Sequence, residues 1–156
     1  DSRESHYCLG KRFMMKIIEK NAQPSVTLKH RHIVLQVPTR ATRTKKQKIL
    51  DEWYRERMKE VVAGLVIKWE KRMKIQVSDF SVRRMRTKWG SCNTDTKRIT
   101  LNLELVKKPF ECIEYVVVHE MLHLLERRHS QKFIKYLDKY LPLWKSIKAQ
   151  LNQLPI

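Results

Sequence analysis

The chain has few glycines, few prolines and no long apolar run, and each shortage excludes a class of structure. Its 156 residues contain 3 Gly and 5 Pro, too few for a low-complexity or collagen-like segment. The longest apolar run, residues 61–67, is far shorter than the roughly 20 residues that span a membrane as a helix. We therefore expect a single globular domain over residues 1–156 with no membrane span, in which residues 1–10 are flexible.

Cysteine is also scarce. The chain has 3 Cys, at positions 8, 92 and 112, with no CxxC pair. An odd and widely spaced set does not suit the disulfide framework of a secreted domain. The first residues also lack the apolar stretch of a secretory signal peptide. These features favour a cytoplasmic protein.

Acidic residues are few, and basic residues outnumber them about two to one. The chain carries 34 Lys+Arg against 16 Asp+Glu, a net charge of +18. An excess of this size favours anionic partners such as nucleic acid or another polyanion. The basic residues are spread along the chain and match no nucleic-acid-binding signature, so this partner stays open.

The apolar pattern predicts an α+β fold with a small, mostly antiparallel sheet. Alternating apolar residues indicate strands at 26–30 and 32–37, and again at 80–86 and 98–105. Helical spacing predicts a long helix over 43–73 in the N-terminal half, with Thr42 or Thr44 as its N-cap. Gly64 inside that helix suggests a close packing contact. Further helices are predicted over 109–126, over 131–141 after Ser130, and from Pro142 to about Gln153.

The predicted helix 109–126 contains His-Glu-Met-Leu-His at 119–123, an HExxH sequence. Residues four apart share a helix face, so His119 and His123 can present two imidazoles to one zinc ion. Glu120 lies beside the first histidine and can act on a water molecule without binding the metal itself. The pattern predicts a zinc site with Glu120 as the general base.

A catalytic zinc site needs a third protein ligand and one open position. One class of HExxH enzymes uses a glutamate from a later helix, but no Glu follows Glu126 in this chain. That class is excluded unless Asp138 takes the role. His129 lies six residues after His123, and a chain that turns beyond the helix can return it to the metal. His129 is therefore the expected third ligand.

The spacing of these histidines equals that of the metzincin pattern, H-E-x-x-H-x-x-G-x-x-H. However, Glu126 stands at the glycine position, and no Met follows the motif to form a Met-turn. These departures argue against a metzincin. They predict instead that the helix continues and that the chain turns later, near Arg127 and Arg128.

The segment 80–145 resembles the YgjP-like zinc metallopeptidase family, which is related to the SprT-type proteases. The resemblance rests on Trp-Gly-Ser-Cys at 89–92, the following strand with Leu-Asn, and the sequences YVVVHE and HLLERRHSQKF. It implies a zincin-like fold with one catalytic zinc ion, His119, His123 and His129 as metal ligands, and Glu120 as catalytic acid and base. Arg128 departs from the Asn that the family often has before the third histidine.

These features together predict a metalloendopeptidase that hydrolyses protein or peptide substrates with a zinc-activated water. We expect the strand 98–104 to pair with an extended substrate, and Trp89, Asn102 and Tyr136 are candidate substrate contacts. Tyr136, Tyr140 and several arginines remain open as a second donor to the oxyanion.

An alternative prediction is a basic, nucleic-acid-associated binding domain with a structural or vestigial zinc site. A purely structural site would need a fourth protein ligand and would have no use for Glu120. A protease that acts on DNA-bound proteins, as SprT-type relatives do, would combine the two.

Overall fold

The computed structural model describes residues 5–153, which form seven short strands, one 3-10 helix and four α-helices. In chain order the elements are β1 (Ser5–Cys8), β2 (Lys11–Glu19), β3 (Ser25–Lys29), β4 (His32–Val37), α1 (Arg43–Met73), β5 (Asp79–Arg83), β6 (Gly90–Asn93), β7 (Arg98–Asn102), the 3-10 helix (Leu103–Lys107), α2 (Phe110–Leu122), α3 (Gln131–Tyr140) and α4 (Trp144–Leu151). The α+β class and the long helix in the N-terminal half are as predicted.

The strands divide into two sheets rather than one. The first has the order β1-β2-β4-β3, in which β2 and β4 are parallel and the outer pairs are antiparallel. The second has the order β5-β7-β6, with β5 parallel and β6 antiparallel to the central β7. Antiparallel pairings are therefore the majority, as expected, but each sheet contains one parallel pair.

Part of the stretch expected to be flexible, residues 1–10, has regular structure. Residues 5–8 form β1, which pairs with β2 over four residues. The turn that follows is held by hydrogen bonds from Leu9 N to Val106 O and from Gly10 N to Lys107 O, at 2.7 and 3.0 Å. Residues 1–4 lie outside the described part of the chain.

Helix α1 begins and ends where its sequence predicts. The Thr42 side chain accepts a hydrogen bond from Lys45 N at 3.1 Å and caps the first turn. Lys74 ends the helix in the left-handed conformation, with φ 57°, and its N–H donates to Glu70 O. Gly64 does not mark a close contact, because a Cβ built there would meet no atom within 4 Å. The buried stripe that packs α1 on the sheets and α2 consists of Leu50, Tyr54, Met58, Val62, Leu65, Val66, Trp69 and Met73.

The connection between β5 and β7 contains a strand that the sequence did not predict. Gly90–Asn93 pairs with β7 as β6, although its Gly, Ser and Asn are residues typical of turns. The strand predicted over 98–105 also ends early, at Asn102. The Asn102 side chain accepts from Glu104 N at 3.1 Å and starts the 3-10 helix, in which Leu103, Leu105 and Val106 are buried. Alternation of apolar residues therefore did not distinguish the strand from the 3-10 turn.

Helix α2 lies in the centre of the fold, with α1, α4 and β6 packed around it. Nearly every residue from Cys112 to Leu122 is buried. None of the helices within residues 5–153 is long and apolar enough to cross a membrane.

Candidate metal centre and active site

Helix α2 ends at Leu122, four residues before the predicted end. The backbone then tightens from i−4 to i−3 hydrogen bonds, with His123 N bonded to Glu120 O and Leu124 N to Met121 O at 3.2 and 3.0 Å. The chain turns over 123–125 and bends again at Arg127 and Arg128. The helix therefore ends earlier than predicted, whereas the change of direction predicted near those two arginines is present.

No residue of this turn needs a left-handed backbone. Within residues 5–153, the residues other than glycine with positive φ are Leu9, His30, Arg40, Lys74 and Lys97. Arg128 therefore fits its position without strain, although the related family often has Asn there.

The early turn brings three imidazoles together. Nε2 of His129 lies 3.1 Å from Nε2 of His119 and 3.1 Å from Nε2 of His123. Two nitrogens bound at about 2.0–2.1 Å to one tetrahedral zinc ion would lie about 3.3 Å apart. The spacing of the three nitrogens is thus close to that of a shared ligand set.

The protonation states also suit metal binding. Burial, and then the charges of His123 and His129, lower the pKa of His119 to about 4, so its imidazole is neutral at pH 7. Nδ1 of His123 lies 3.3 Å from Glu126 O, and since a carbonyl only accepts, Nδ1 carries the proton. Nε2 of His123 is then unprotonated and offers its lone pair toward the other two histidines. Metal-bound histidines have the same arrangement, in which the second ring nitrogen donates to a carbonyl.

Phe133 supports the triad from α3. Its ring centroid lies 5.0, 4.8 and 5.1 Å from those of His119, His123 and His129, and the residue is 1% exposed. Ser130 caps α3 by accepting from Phe133 N at 3.3 Å. The first turn of α3 therefore fixes both the third histidine and the aromatic ring beneath all three.

Glu120 lies beside the triad in an environment that favours its neutral form. The residue is 7% exposed, and burial raises the pKa of its carboxyl to about 7, against a smaller lowering effect from the charge of Lys88. A carboxyl with its pKa near neutrality can both accept and return a proton.

Strand β6 packs directly against this carboxylic acid. A Cβ built on Gly90 would lie 3.0 Å from Glu120 Cγ and 3.0 Å from Val116 Cγ1. Only glycine allows β6 to approach α2 so closely at this point. The glycine of the Trp-Gly-Ser-Cys segment thus has a role in the site that its sequence position did not reveal.

An open cleft of about 440 Å³ faces the histidines and Glu120. Its other walls come from β6 and from the turn after α2, where Arg127 forms an ion pair with Asp95 at 2.9 Å. Lys88 also lines the cleft and has no ion-pair partner among residues 5–153. Lys88 and Arg127 are therefore the lysine and arginine that line the cleft beside Glu120 and the histidines.

Two of the predicted substrate contacts, Asn102 and Tyr136, lie outside the cleft, and the alternative metal ligand Asp138 lies apart from the histidines. The Asn102 side chain is 4% exposed and bonds Met85 O, Lys88 O and two backbone N–H groups, so it organises the backbone. Tyr136 stacks on Tyr140, their centroids 6.4 Å apart, and neither lines the cleft. Asp138 accepts from Trp144 Nε1 at 2.7 Å and does not join the triad.

Trp89 is the predicted substrate contact that does reach the site. It lines a smaller recess next to His119 and Glu120, and its Nε1 donates to Asn152 Oδ1 at 3.2 Å.

The fold and the site together define a metallopeptidase. The YgjP-like metallopeptidase domain matches residues 1–154, and the chain belongs to this family. This family, expected from the sequence, implies a metal cofactor and protein or peptide substrates.

Solved structures of two other metallopeptidases are similar to the chain. The zymogen of abylysin from Pyrococcus abyssi aligns with a TM-score of 0.54 and 21% identity, over 58% of this chain and 90% of that one. The zymogen of jannalysin from Methanocaldococcus jannaschii gives a TM-score of 0.48 and 22% identity, over 60% and 86%. The likeness to abylysin shows a shared fold. None of the curated proteins compared with the chain matches it.

Proposed function

We propose that the chain is a zinc-dependent endopeptidase in which Glu120 is the general base and acid. The observation that supports this most directly is the convergence of three histidine Nε2 atoms beside a buried carboxyl group. A zinc ion held by His119, His123 and His129 would supply Lewis-acid chemistry, acidifying a water molecule and polarising a peptide carbonyl.

The protein's own groups provide the proton transfers and the charge stabilisation. Glu120 takes a proton from the attacking water and later delivers it to the departing amine, for which a pKa of about 7 is well matched. Lys88 or Arg127 stabilises the negative charge that develops on the carbonyl oxygen. Tyr136 and Tyr140 do not serve as this donor, because they do not line the cleft.

An extended substrate would pair with β6 rather than with β7. The strand expected to bind substrate, 98–104, corresponds to β7 and has β5 and β6 on its two sides, so its backbone groups are already paired. Strand β6 is an edge strand and lines the cleft with Gly90, Ser91 and Cys92. Its free edge can therefore add a substrate strand.

Metal analysis and peptide hydrolysis test this proposal together. Purified protein should bind about one zinc ion. His129→Ala should weaken zinc binding strongly, while His32→Ala, at an exposed position on β4, should not. Glu120→Gln should retain zinc but lose hydrolysis, whereas Glu111→Gln on the same helix should keep both. Equal activity of wild type and Glu120→Gln would refute the catalytic role, and unchanged zinc affinity of His129→Ala would refute the ligand.

A second candidate function, binding of a polyanion, is favoured by one feature besides the net charge. Lys71, Lys74 and Lys97 line an open groove at the end of α1, and Glu70, the acid among the residues lining it, accepts from Val77 N. If a phosphate backbone lies in this groove, DNA affinity should fall steeply with salt, and Lys71→Glu should reduce the slope by about 1. Lys11→Glu on β2 is the matched control. A shallow slope in the wild type would rule this binding out.

A further inference from the structure

A second recess adjoins the histidine cleft at Glu120. Its volume is about 220 Å³, and His119, Glu120, Gly90 and Lys88 line both spaces. The recess therefore opens directly beside the place where the scissile bond would be held.

The walls of this recess are mainly apolar and well fixed. Its apolar and aromatic lining residues include Trp89, Tyr115 and Leu151, of which Leu151 and Tyr115 are 2% and 6% exposed. The indole of Trp89 is held by its bond to Asn152, and the Tyr115 ring lies against His119 with centroids 5.8 Å apart. The recess is thus formed by the fold itself rather than by a mobile side chain.

Its size suits one side chain. Pockets that hold a complete drug-sized ligand measure about 300–1,000 Å³, and this recess is smaller. A large apolar side chain would displace water from apolar walls, which is favourable in proportion to the area buried.

Two unpaired cations flank the recess. Lys88 and Lys148 are exposed, line it and form no ion pair within residues 5–153. Glu120, the acid among the lining residues, belongs to the catalytic group. A substrate with an acidic residue next to the inserted side chain would meet favourable charge, and a basic one would be repelled.

We propose that this recess is a specificity subsite that takes a large apolar side chain adjacent to the scissile bond, with a preference for a neighbouring acidic residue. The assignment rests on the proposed peptidase function, since it assumes that Glu120 acts on the bond held between the two spaces.

Peptides that differ at two positions test the proposal. One series carries Phe, Leu or Ala at the position next to the scissile bond. A second series carries Glu, Gln or Lys at the position next to that apolar residue. With zinc-loaded wild type, kcat/KM should fall at least about 10-fold from Phe to Ala. It should fall about two- to tenfold from Glu to Lys. Dissociation constants measured on zinc-loaded Glu120→Gln protein should follow the same order.

Variants link these preferences to the recess. Leu151→Phe fills it, so cleavage of the Phe peptide should fall about 10-fold or more and the preference for Phe over Ala should be lost. Asn152→Trp narrows the same space from an exposed position, while also removing the bond to Trp89, and it replaces Leu151→Phe if circular dichroism shows that the latter is unfolded. Lys148→Glu should reverse the Glu-over-Lys preference, and Lys145→Glu, one turn earlier on α4, should leave it unchanged.

Different results would overturn the subsite and the peptidase function. Cleavage that depends on Glu120 but shows no Phe-over-Ala preference, or a preference that survives Leu151→Phe and Asn152→Trp, would overturn the subsite alone. Absence of cleavage with ordered peptide affinities would refute the peptidase function and leave the subsite as a binding site. Equal affinities of Phe and Ala peptides would overturn the subsite in either case.

Discussion

Replacing Gly90 with alanine should impair catalysis while leaving zinc binding unchanged. The new Cβ would lie 3.0 Å from Glu120 Cγ, 3.0 Å from Val116 Cγ1 and 3.1 Å from Thr100 O, whereas ordinary contacts are 3.4–4 Å. Thr100 O belongs to the backbone of central strand β7, and Val116 is 3% exposed on α2, so neither can yield easily. The Glu120 side chain must therefore move by a few tenths of an ångström.

The size of the effect follows from this displacement. A misplacement of about 1 Å in a catalytic group can reduce the rate about 100-fold, so we expect kcat to fall about 10-fold or more. The added methyl group in a tight space should also lower the free energy of unfolding by about 1–3 kcal/mol. The triad is supported from α3 by Phe133, away from Gly90, so zinc affinity should stay within about twofold of wild type.

The assay is steady-state hydrolysis of one peptide, with zinc content and urea unfolding measured on the same preparation. Gly64→Ala is the matched control, because its Cβ would meet no atom within 4 Å. It should raise the free energy of unfolding by about 1 kcal/mol, as alanine favours a helix interior, and leave kcat unchanged. A Gly90→Ala enzyme with wild-type kcat, or one that loses zinc in parallel with activity, would refute this reasoning.

Three further changes have defined outcomes. Asn102→Ala removes the side chain that bonds the backbone of Met85 and Lys88. It should lower the free energy of unfolding by about 2–4 kcal/mol in urea, and a loss below about 1 kcal/mol would contradict this role. Thr42→Ala removes the cap of α1 and should cost about 1 kcal/mol in the same measurement, whereas Thr44→Ala should cost less. Burial, and then the charge of Glu120, raise the pKa of Cys92 to about 11. The thiol is thus protonated at pH 8, so alkylation in metal-free protein should be slow there and faster in Glu120→Gln; equal rates in the two proteins would contradict this coupling.

The sequence predicted those parts of the structure that depend on local pattern. Helix α1 follows from a long apolar stripe and a threonine cap, and the grouping of His119 and His123 follows from their four-residue spacing. Both features need only helical geometry, which is the same in any protein.

The sequence did not predict features that depend on tertiary contacts. Strand β6 consists of Gly-Ser-Cys-Asn, a segment with low strand propensity, and exists because β7 pairs with it. The early end of α2 arises because the chain tightens to bring His129 against Phe133, although Leu124 and Leu125 would continue a helix on propensity alone. Asn102 was a candidate substrate contact within the strand 98–104 that was expected to pair with substrate, and only its backbone partners reveal that it ends that strand.

The two parts of the candidate active site, the three histidines and Glu120, depend on contacts of different separation along the chain. The three histidines lie within eleven consecutive residues, 119–129, and are assembled by one helix end and one turn. Glu120 reaches its buried position only where Gly90, thirty residues earlier, packs against α2. The grouping of the metal ligands therefore depends on local contacts. The burial that raises the pKa of Glu120 depends instead on the docking of β6 against α2, so a change in the second sheet can alter the proposed general base while the three histidines stay in place.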